Sequence, residues 1–297
     1  MGKIIAFFAD KFGYVLNFIY GFVGNYGLAI ILFSILIKLI MLPLSIKQQK
    51  TMKKTQKVQV KLKELQKKYE NDQSRLAQET MSLYKEENVS PFSGCLSTIL
   101  QFIILISIFF MVRQPLTYML RMDDDKLDSY SQIVEDTNTA KRGYTEIAII
   151  KEARENDEID VDIDMNFLGL DLSNIPYNNY TDPTVYIIPG LYVISSIISM
   201  KLTTAMTVKK KKEEDNKEDI IIDEKDTDNK KNKEEEADMT AQLSKQMSIM
   251  MPIMAISIAA FAPLGMALYW LVNNILMTVE RIVLNKIFSS KEEEENV

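Results

Sequence analysis

Histidine is absent from the 297-residue chain. No mechanism that needs an imidazole base or an imidazole metal ligand is therefore available, which excludes serine triads and the H-E-x-x-H zinc sites. A single cysteine, Cys95, excludes an internal disulfide and any cysteine-cluster metal site. Nothing resembles a phosphate-binding loop, no repeat of fixed period is visible, and no cofactor is implied. The net charge of −6 comes mostly from segments between apolar blocks, so it carries no direct nucleic-acid signal, and the sign of each loop matters more.

What is present is apolar sequence in blocks. A mean hydropathy of −0.06 looks like an ordinary soluble protein, but the apolar residues, 47% of the chain, are gathered into runs and the charged ones, 26%, lie between them. Five runs stand out: Tyr26 to Ile46, Leu96 to Val112, Val185 to Met206, Met247 to Phe261 and Leu264 to Leu284. About 20 apolar residues span a bilayer, so the expected fold is an all-α polytopic membrane protein with spans at 26–46, 93–112, 185–206, 246–262 and 263–284. Only Ala262 and Pro263 separate the last two, which suggests a tight hairpin of spans, one long bent helix being the alternative.

The remaining segments follow from composition. Residues 1–25 place Ile4, Phe7, Phe8, Phe12, Val15, Leu16, Ile19 and Phe22 at roughly helical spacing, interrupted by Lys3, Asp10, Lys11 and Asn17, as in an amphipathic interfacial helix. A signal peptide is the rival reading, but Asp10 and Lys11 break its apolar core and no A-x-A site follows. Residues 47–92 are rich in helix formers. Leu62, Leu65 and Tyr69 share one face, Leu76, Leu83 and Tyr84 lie near another, and Glu70-Asn71-Asp72-Gln73 forms a turn with Asp72 as N-cap: a helical hairpin. Residues 113–184 form an acidic loop, 207–245 a charged linker expected to be disordered from Lys209 to Asp238, and 285–297 a polar tail.

Orientation follows the basic residues near span ends. Residues 47–92 hold 11 basic and 6 acidic side chains, and residues 113–184 hold 7 basic and 16 acidic ones. The hairpin is thus expected in the cytosol with the carboxyl terminus, and the acidic loop outside with the amino terminus.

Chemistry inside the spans is sparse. Lys38 is the one ionisable residue read as deep in a span, and Ser34, Lys38 and Ser45 share a helix face. Other spans carry polar positions: Ser97 and Gln101; Ser195, Ser196 and Ser199; Asn273 and Asn274 beside Trp270. If these faces converge they line a wet cavity around Lys38. A lysine snorkelling to the interface and small-residue helix packing are the bland alternatives. Ser34 and Lys38 as a hydrolase dyad lack an identifiable oxyanion donor. The spans are read as free of carboxylates, which disfavours an aspartyl protease and weakens an ion-coupled transporter. An anion transporter or channel, with Lys38 as its site, remains the rival from another class.

Phe22-Val23-Gly24-Asn25-Tyr26-Gly27 leading into Ile37-Lys38-Leu39-Ile40-Met41-Leu42-Pro43-Leu44 resembles the first core span of the YidC/Oxa/Alb membrane protein insertases. Met81 to Tyr84 with Asn88-Val89-Ser90-Pro91, Gly94-Cys95 and Gln101 is similar to the end of their hairpin and their second span. Met250-Met251-Pro252, Pro263-Leu264-Gly265, Leu268-Tyr269-Trp270 and Asn273-Asn274 resemble their last two spans. The resemblance implies five helices around a hydrophilic groove open to the cytosol and to lipid, in a bacterial plasma membrane. It implies a non-enzymatic insertase and chaperone that receives nascent membrane proteins, alone or beside the Sec translocon, with lipid, ribosome or targeting machinery as further partners. It also implies that the groove cation, usually arginine in the family, falls on Lys38, with Ser34, Gln101, Trp270, Asn273 and Asn274 lining the groove.

Overall fold

The computed structural model describes residues 2–70, 72–87, 93–154, 158–218 and 260–295; side chains at 93–98, at 204, at 206–218, from 288 onward and at several positions between 52 and 67 lie outside that description. The chain divides into two compact units, Met1–Gly21 with Leu32–Asp123, and Phe22–Ile31 with Asp124–Val297.

In the first unit, α1 (Gly2–Val23) buries Ala9, Gly13 and Leu16 and leaves Ile4, Phe7, Tyr14 and Phe18 exposed. Gly13 is required by close approach: a Cβ there would lie 2.0 Å from the carbonyl oxygen of Tyr118, so only glycine admits this contact. Tyr118 belongs to a π-helical turn, Leu116–Leu120, that follows α4 (Ser93–Arg113). Arg121, left-handed at φ 54°, ends that turn; its guanidinium donates to Asp10 Oδ1 at 2.9 Å and lies 5.3 Å over the Tyr14 ring.

Helix α2 (Tyr26–Lys68) is one 43-residue element. The sequence expectation places the end of a span at Ile46 and a separate hairpin from Lys47, whereas the helix runs through both. Glycine is absent from residues 28–68, and Lys, Gln, Leu and Met are good helix formers, so nothing stops propagation. Pro43 removes one amide donor without ending the helix. After the turn, α3 (Gln73–Glu86) starts at Asp72, whose Oδ1 accepts from the Arg75 amide at 2.9 Å. Val58 and Leu83 are buried between α2 and α3, with Leu62, Leu65 and Tyr84 packed against them, and Lys61 pairs with Glu87 across the end. The Glu87 carboxylate holds the Lys61 ammonium above its ordinary value.

The second unit holds a structure that composition concealed. The acidic stretch is folded: α5 (Asp124–Val134), α6 (Asn138–Lys141), α7 (Thr145–Glu152), an antiparallel hairpin of β1 (Asn166–Phe167) and β2 (Leu170–Asp171), and 3-10 turns at Pro176–Asn178 and Pro183–Tyr186. Asn166 faces Asp171 and Phe167 faces Leu170. Tyr130, Val134, Ile147 to Ile150, Ile159, Ile163, Met165, Leu172 and Ile175 are buried, and Glu146 is buried among them. Two long helices leave this module, α8 (Ile187–Glu218) and α9 (Leu264–Glu295).

The module caps the spans. The Tyr26 amide, at the start of α2, donates to the Asp164 carbonyl at 3.0 Å, and the Leu264 and Gly265 amides, at the start of α9, donate to the Asn174 and Leu172 carbonyls, each at 2.9 Å. These are among the first amides of their helices, which have no partner within the helix. Asn25 adds side-chain bonds to Asp164 Oδ2 at 2.9 Å and to the Asn166 carbonyl at 2.6 Å.

By length and composition, four of the described helices can cross a membrane: Gly2–Val23, Tyr26–Thr51, Pro183–Thr203 and Leu264–Ile287, with Ile99–Arg113 a shorter apolar helix. Helix α8 continues to Glu218, past the Lys209 at which composition predicts the chain to lose order; the lysines and glutamates there are themselves good helix formers. The rest of the 207–245 linker and the fourth span, apart from residues 260–262, lie outside the described residues.

Candidate functional site

In the first unit, Ser34 and Lys38 lie one turn apart on α2. Ser34 is buried and Lys38 half-buried, among exposed Leu36, Leu39 and Ile40. Gln101 is exposed on α4, and the Ser97 side chain lies outside the described residues. In the second unit, Trp270, Asn273 and Asn274 are half-buried on α9.

The second-unit residues are engaged in a helix seam. Asn274 Nδ2 donates to Ser196 Oγ at 3.0 Å, Thr278 Oγ1 bonds Ser199 Oγ at 2.8 Å, and the Arg281 guanidinium donates to Thr203 Oγ1. Residue numbers rise together along both helices, so α8 and α9 run parallel and the rungs recur once per turn. Trp270 extends the same contact, its ring 6.3 Å from that of Tyr192. Asn273 is set differently, its amide 3.8 Å from Met277 Sδ on its own helix. The serines of α8 therefore act as interhelical partners, the packing alternative, at Ser196 and Ser199; Ser195 bonds the Tyr192 carbonyl of its own helix at 2.8 Å.

Reading the spans as free of carboxylates needs correction. Glu280 lies within the fifth apolar segment, on α9 beside this seam, with Oε1 buried. Sequence reasoning passed over it because Glu280-Arg281 resembles the polar end of a span. One carboxylate still does not supply the pair that an aspartyl protease needs.

A further cluster ties Phe261, at the end of the fourth apolar segment, to the module. Arg142 lies 4.2 Å over the Tyr177 ring and 5.5 Å from that of Phe261, and its Nε donates to Asn178 Oδ1 at 3.0 Å. Tyr177 and Phe261 are themselves 5.1 Å apart. No spacing in the sequence signals this three-part stack.

Several span-length apolar helices, a polar seam between two of them and a folded cap on their amino-terminal ends define a mostly helical, multi-pass membrane protein. The family model described as 60Kd inner membrane protein matches residues 18–292, and the chain belongs to that family, the YidC/Oxa grouping its motifs resemble. Among relatives named "Membrane protein insertase YidC", that of Syntrophus aciditrophicus is 48% identical over 107 residues, 36% of this chain and 19% of the relative. That of Caldanaerobacter subterraneus subsp. tengcongensis is 45% identical over 109 residues, 37% of this chain and 53% of the relative. That of Francisella tularensis subsp. novicida is 44% identical over 109 residues, 37% of this chain and 20% of the relative. The matched stretch thus spans between about one fifth and about half of the length of these relatives.

Proposed function

We propose that this chain is a membrane protein insertase that works without covalent chemistry, alone or with the Sec translocon, and that Lys38 is the cation of a hydrophilic groove. The observation that carries the reading is the family match across residues 18–292 together with a half-buried lysine, one turn from a buried serine, in an apolar helix. An ionisable group is costly in hydrocarbon, so one retained there is a functional position by default.

In this reading Lys38, Ser34 and Gln101, to which the sequence adds Trp270, Asn273 and Asn274, solvate the polar tail of an incoming nascent chain. That shortens the apolar distance the tail must cross. Helices α8 and α9 supply the exit. Their polar side chains are spent on each other along the seam, leaving Ile194, Ile198, Ile275 and Val279 exposed. A substrate's apolar segment passes along such a surface into lipid, a transfer that hydrophobic burial favours. The hairpin of α2 and α3 lies in the cytosol, as its 11 basic residues direct, and meets the incoming chain or its targeting machinery. The module of residues 124–186 lies outside, and α1 rests in the interface. A potential positive outside draws an acidic tail outward with about 2.3 kcal/mol per charge per 100 mV.

The test is a reporter whose translocated tail carries either Asp or Asn, inserted by protein with Lys38 unchanged or replaced by Arg, Gln or Glu. Lys38→Arg retains insertion. Lys38→Gln impairs the Asp tail more than the Asn tail, and Lys38→Glu is worst because like charges meet at low dielectric. Equal losses for both tails refute an electrostatic role.

A further inference from the structure

The hairpin between β1 and β2 has a two-residue loop, Leu168-Gly169, with both residues left-handed at φ 52° and 81°. Turns of that kind are normally Asn-Gly, Asp-Gly or Gly-Gly, because a side chain at the first position is strained. Leucine occupies that position here, and the strain returns no packing within the protein: Leu168 is 86% exposed, the most exposed of the large apolar side chains described.

The position of the hairpin indicates what covers this side chain. Phe167 fills the space over Gly27 in the first turn of α2, where a Cβ would meet Phe167 Cγ at 2.5 Å. Leu172, just past β2, accepts the Gly265 amide in the first turn of α9. The third apolar helix of this unit begins at Pro183, flanked by Tyr180, 73% exposed, and Tyr186, 47% exposed, the Tyr186 hydroxyl lying 3.4 Å from the Tyr180 carbonyl. The hairpin tip therefore stands at the level where three apolar helices begin, which is where hydrocarbon meets headgroups, the depth that amphipathic tyrosine rings favour.

We propose that the Leu168-Gly169 tip is a lipid anchor: Leu168, together with Tyr180 and Tyr186 at the start of the α8 segment, beds into the bilayer interface at the end where α2, α8 and α9 start, and holds the 124–186 module against the membrane. The partner is a lipid surface recognised by its apolar boundary and not by headgroup charge. Exposed Asp160, Asp162 and Asp164 precede the hairpin, and Arg154, a half-exposed cation held on it, is already paired with Asp171 at 2.9 Å, so the site offers no net attraction to anionic lipid. Anchoring is therefore insensitive to salt and proceeds on zwitterionic lipid. It goes beyond the insertase reading and does not depend on it.

The experiment uses the full chain in phosphatidylcholine nanodiscs, with Cys95→Ser as background and an environment-sensitive fluorophore at Leu168→Cys or, as a water-facing control on the same module, at Asp136→Cys, a site whose side chain is fully exposed. The label at 168 is quenched several-fold more by acyl-brominated lipid than the label at 136, is shielded from aqueous iodide, and is unaffected by raising salt. Equal quenching at the two sites, or a tip equally open to iodide because a protein partner normally covers it, overturns the proposal. A second arm separates anchoring from turn structure. Leu168→Asn suits the left-handed position better, so the protein unfolds no more easily in detergent, while a label at Tyr180→Cys loses most of its quenching by brominated lipid. If that label remains as quenched as before, Leu168 is not the anchor.

Discussion

Gly27→Ala is the most direct probe of how the module grips the first span. The added methyl would lie 2.5 Å from Phe167 Cγ, 2.6 Å from its Cβ and 2.7 Å from its Cδ2, all far inside contact distance. Rotating the Phe167 ring relieves Cγ and Cδ2 only in part and leaves Cβ in place, so backbone must move. Neither backbone is free to do so: the Tyr26 amide is held by the Asp164 carbonyl, and Asn25 is bonded to both Asp164 and Asn166. Overpacking of this kind costs about 1–3 kcal/mol, and the upper half of that range applies because relief breaks helix-capping bonds. The assay is reversible unfolding of purified protein in mixed micelles, run as a double-mutant cycle. Phe167→Ala alone destabilises by removing a packed ring, and Gly27→Ala in that background costs less than in the parent, though not zero, since Cβ stays. If the two substitutions add within about 0.5 kcal/mol, the residues do not touch and the docking described here is wrong.

Three other outcomes follow. Leu83→Ala empties the small core between α2 and α3 and costs about 2–5 kcal/mol of local stability; proteolysis within residues 53–86 accelerates while span topology, mapped by cysteine labelling, stays the same. A double-mutant cycle on Thr278→Val and Ser199→Ala yields a coupling of about 0.6 kcal/mol, the usual worth of an interhelical hydrogen bond in a membrane; a coupling of zero by the same unfolding assay discounts that rung. The Asp182 carboxyl is held below its ordinary value by bonds from the Thr184 hydroxyl and then the Thr184 amide. Its cap on the Pro183–Tyr186 turn is therefore complete above the usual aspartate range, near pH 3.9, and is lost as pH falls through the lower folded value; hydrogen exchange at the Thr184 amide reports that loss.

The long apolar helices Tyr26–Thr51, Pro183–Thr203 and Leu264–Ile287 were legible because each contains one of the long apolar runs read from the sequence, those from Tyr26, Val185 and Leu264. Asp72 was legible because a short side-chain acceptor before a run of helix formers has one common use. The helices and hairpin inside the acidic loop were hidden by averaging. Its apolar residues occur in short groups among acids, Ile147 to Ile150 and the alternation Ile159-Asp160-Val161-Asp162-Ile163-Asp164-Met165, and burial follows that alternation, with Ile159, Ile163 and Met165 inside and the aspartates outside. Period two was the available signal, masked by a net charge that sits mostly on the solvent face, Glu146 being buried. Asn274 is read from the sequence as a polar residue of the last apolar segment, but its partner Ser196 lies 78 positions away, a pairing set by packing that no local pattern encodes.

The caps on α2 and α9 also set an order of events in the protein's own biosynthesis. The amino-terminal end of α2 is secured by residues near Asp164, 139 positions later in the chain, whereas the caps of α9 precede it by about 90 residues. At about 5–20 residues per second, the first span waits on the order of 10 s in the membrane for the loop that seals it, while the last span emerges to find its seat already built. The newly made chain is for that interval a partly assembled membrane protein, in the condition of the substrates proposed for it.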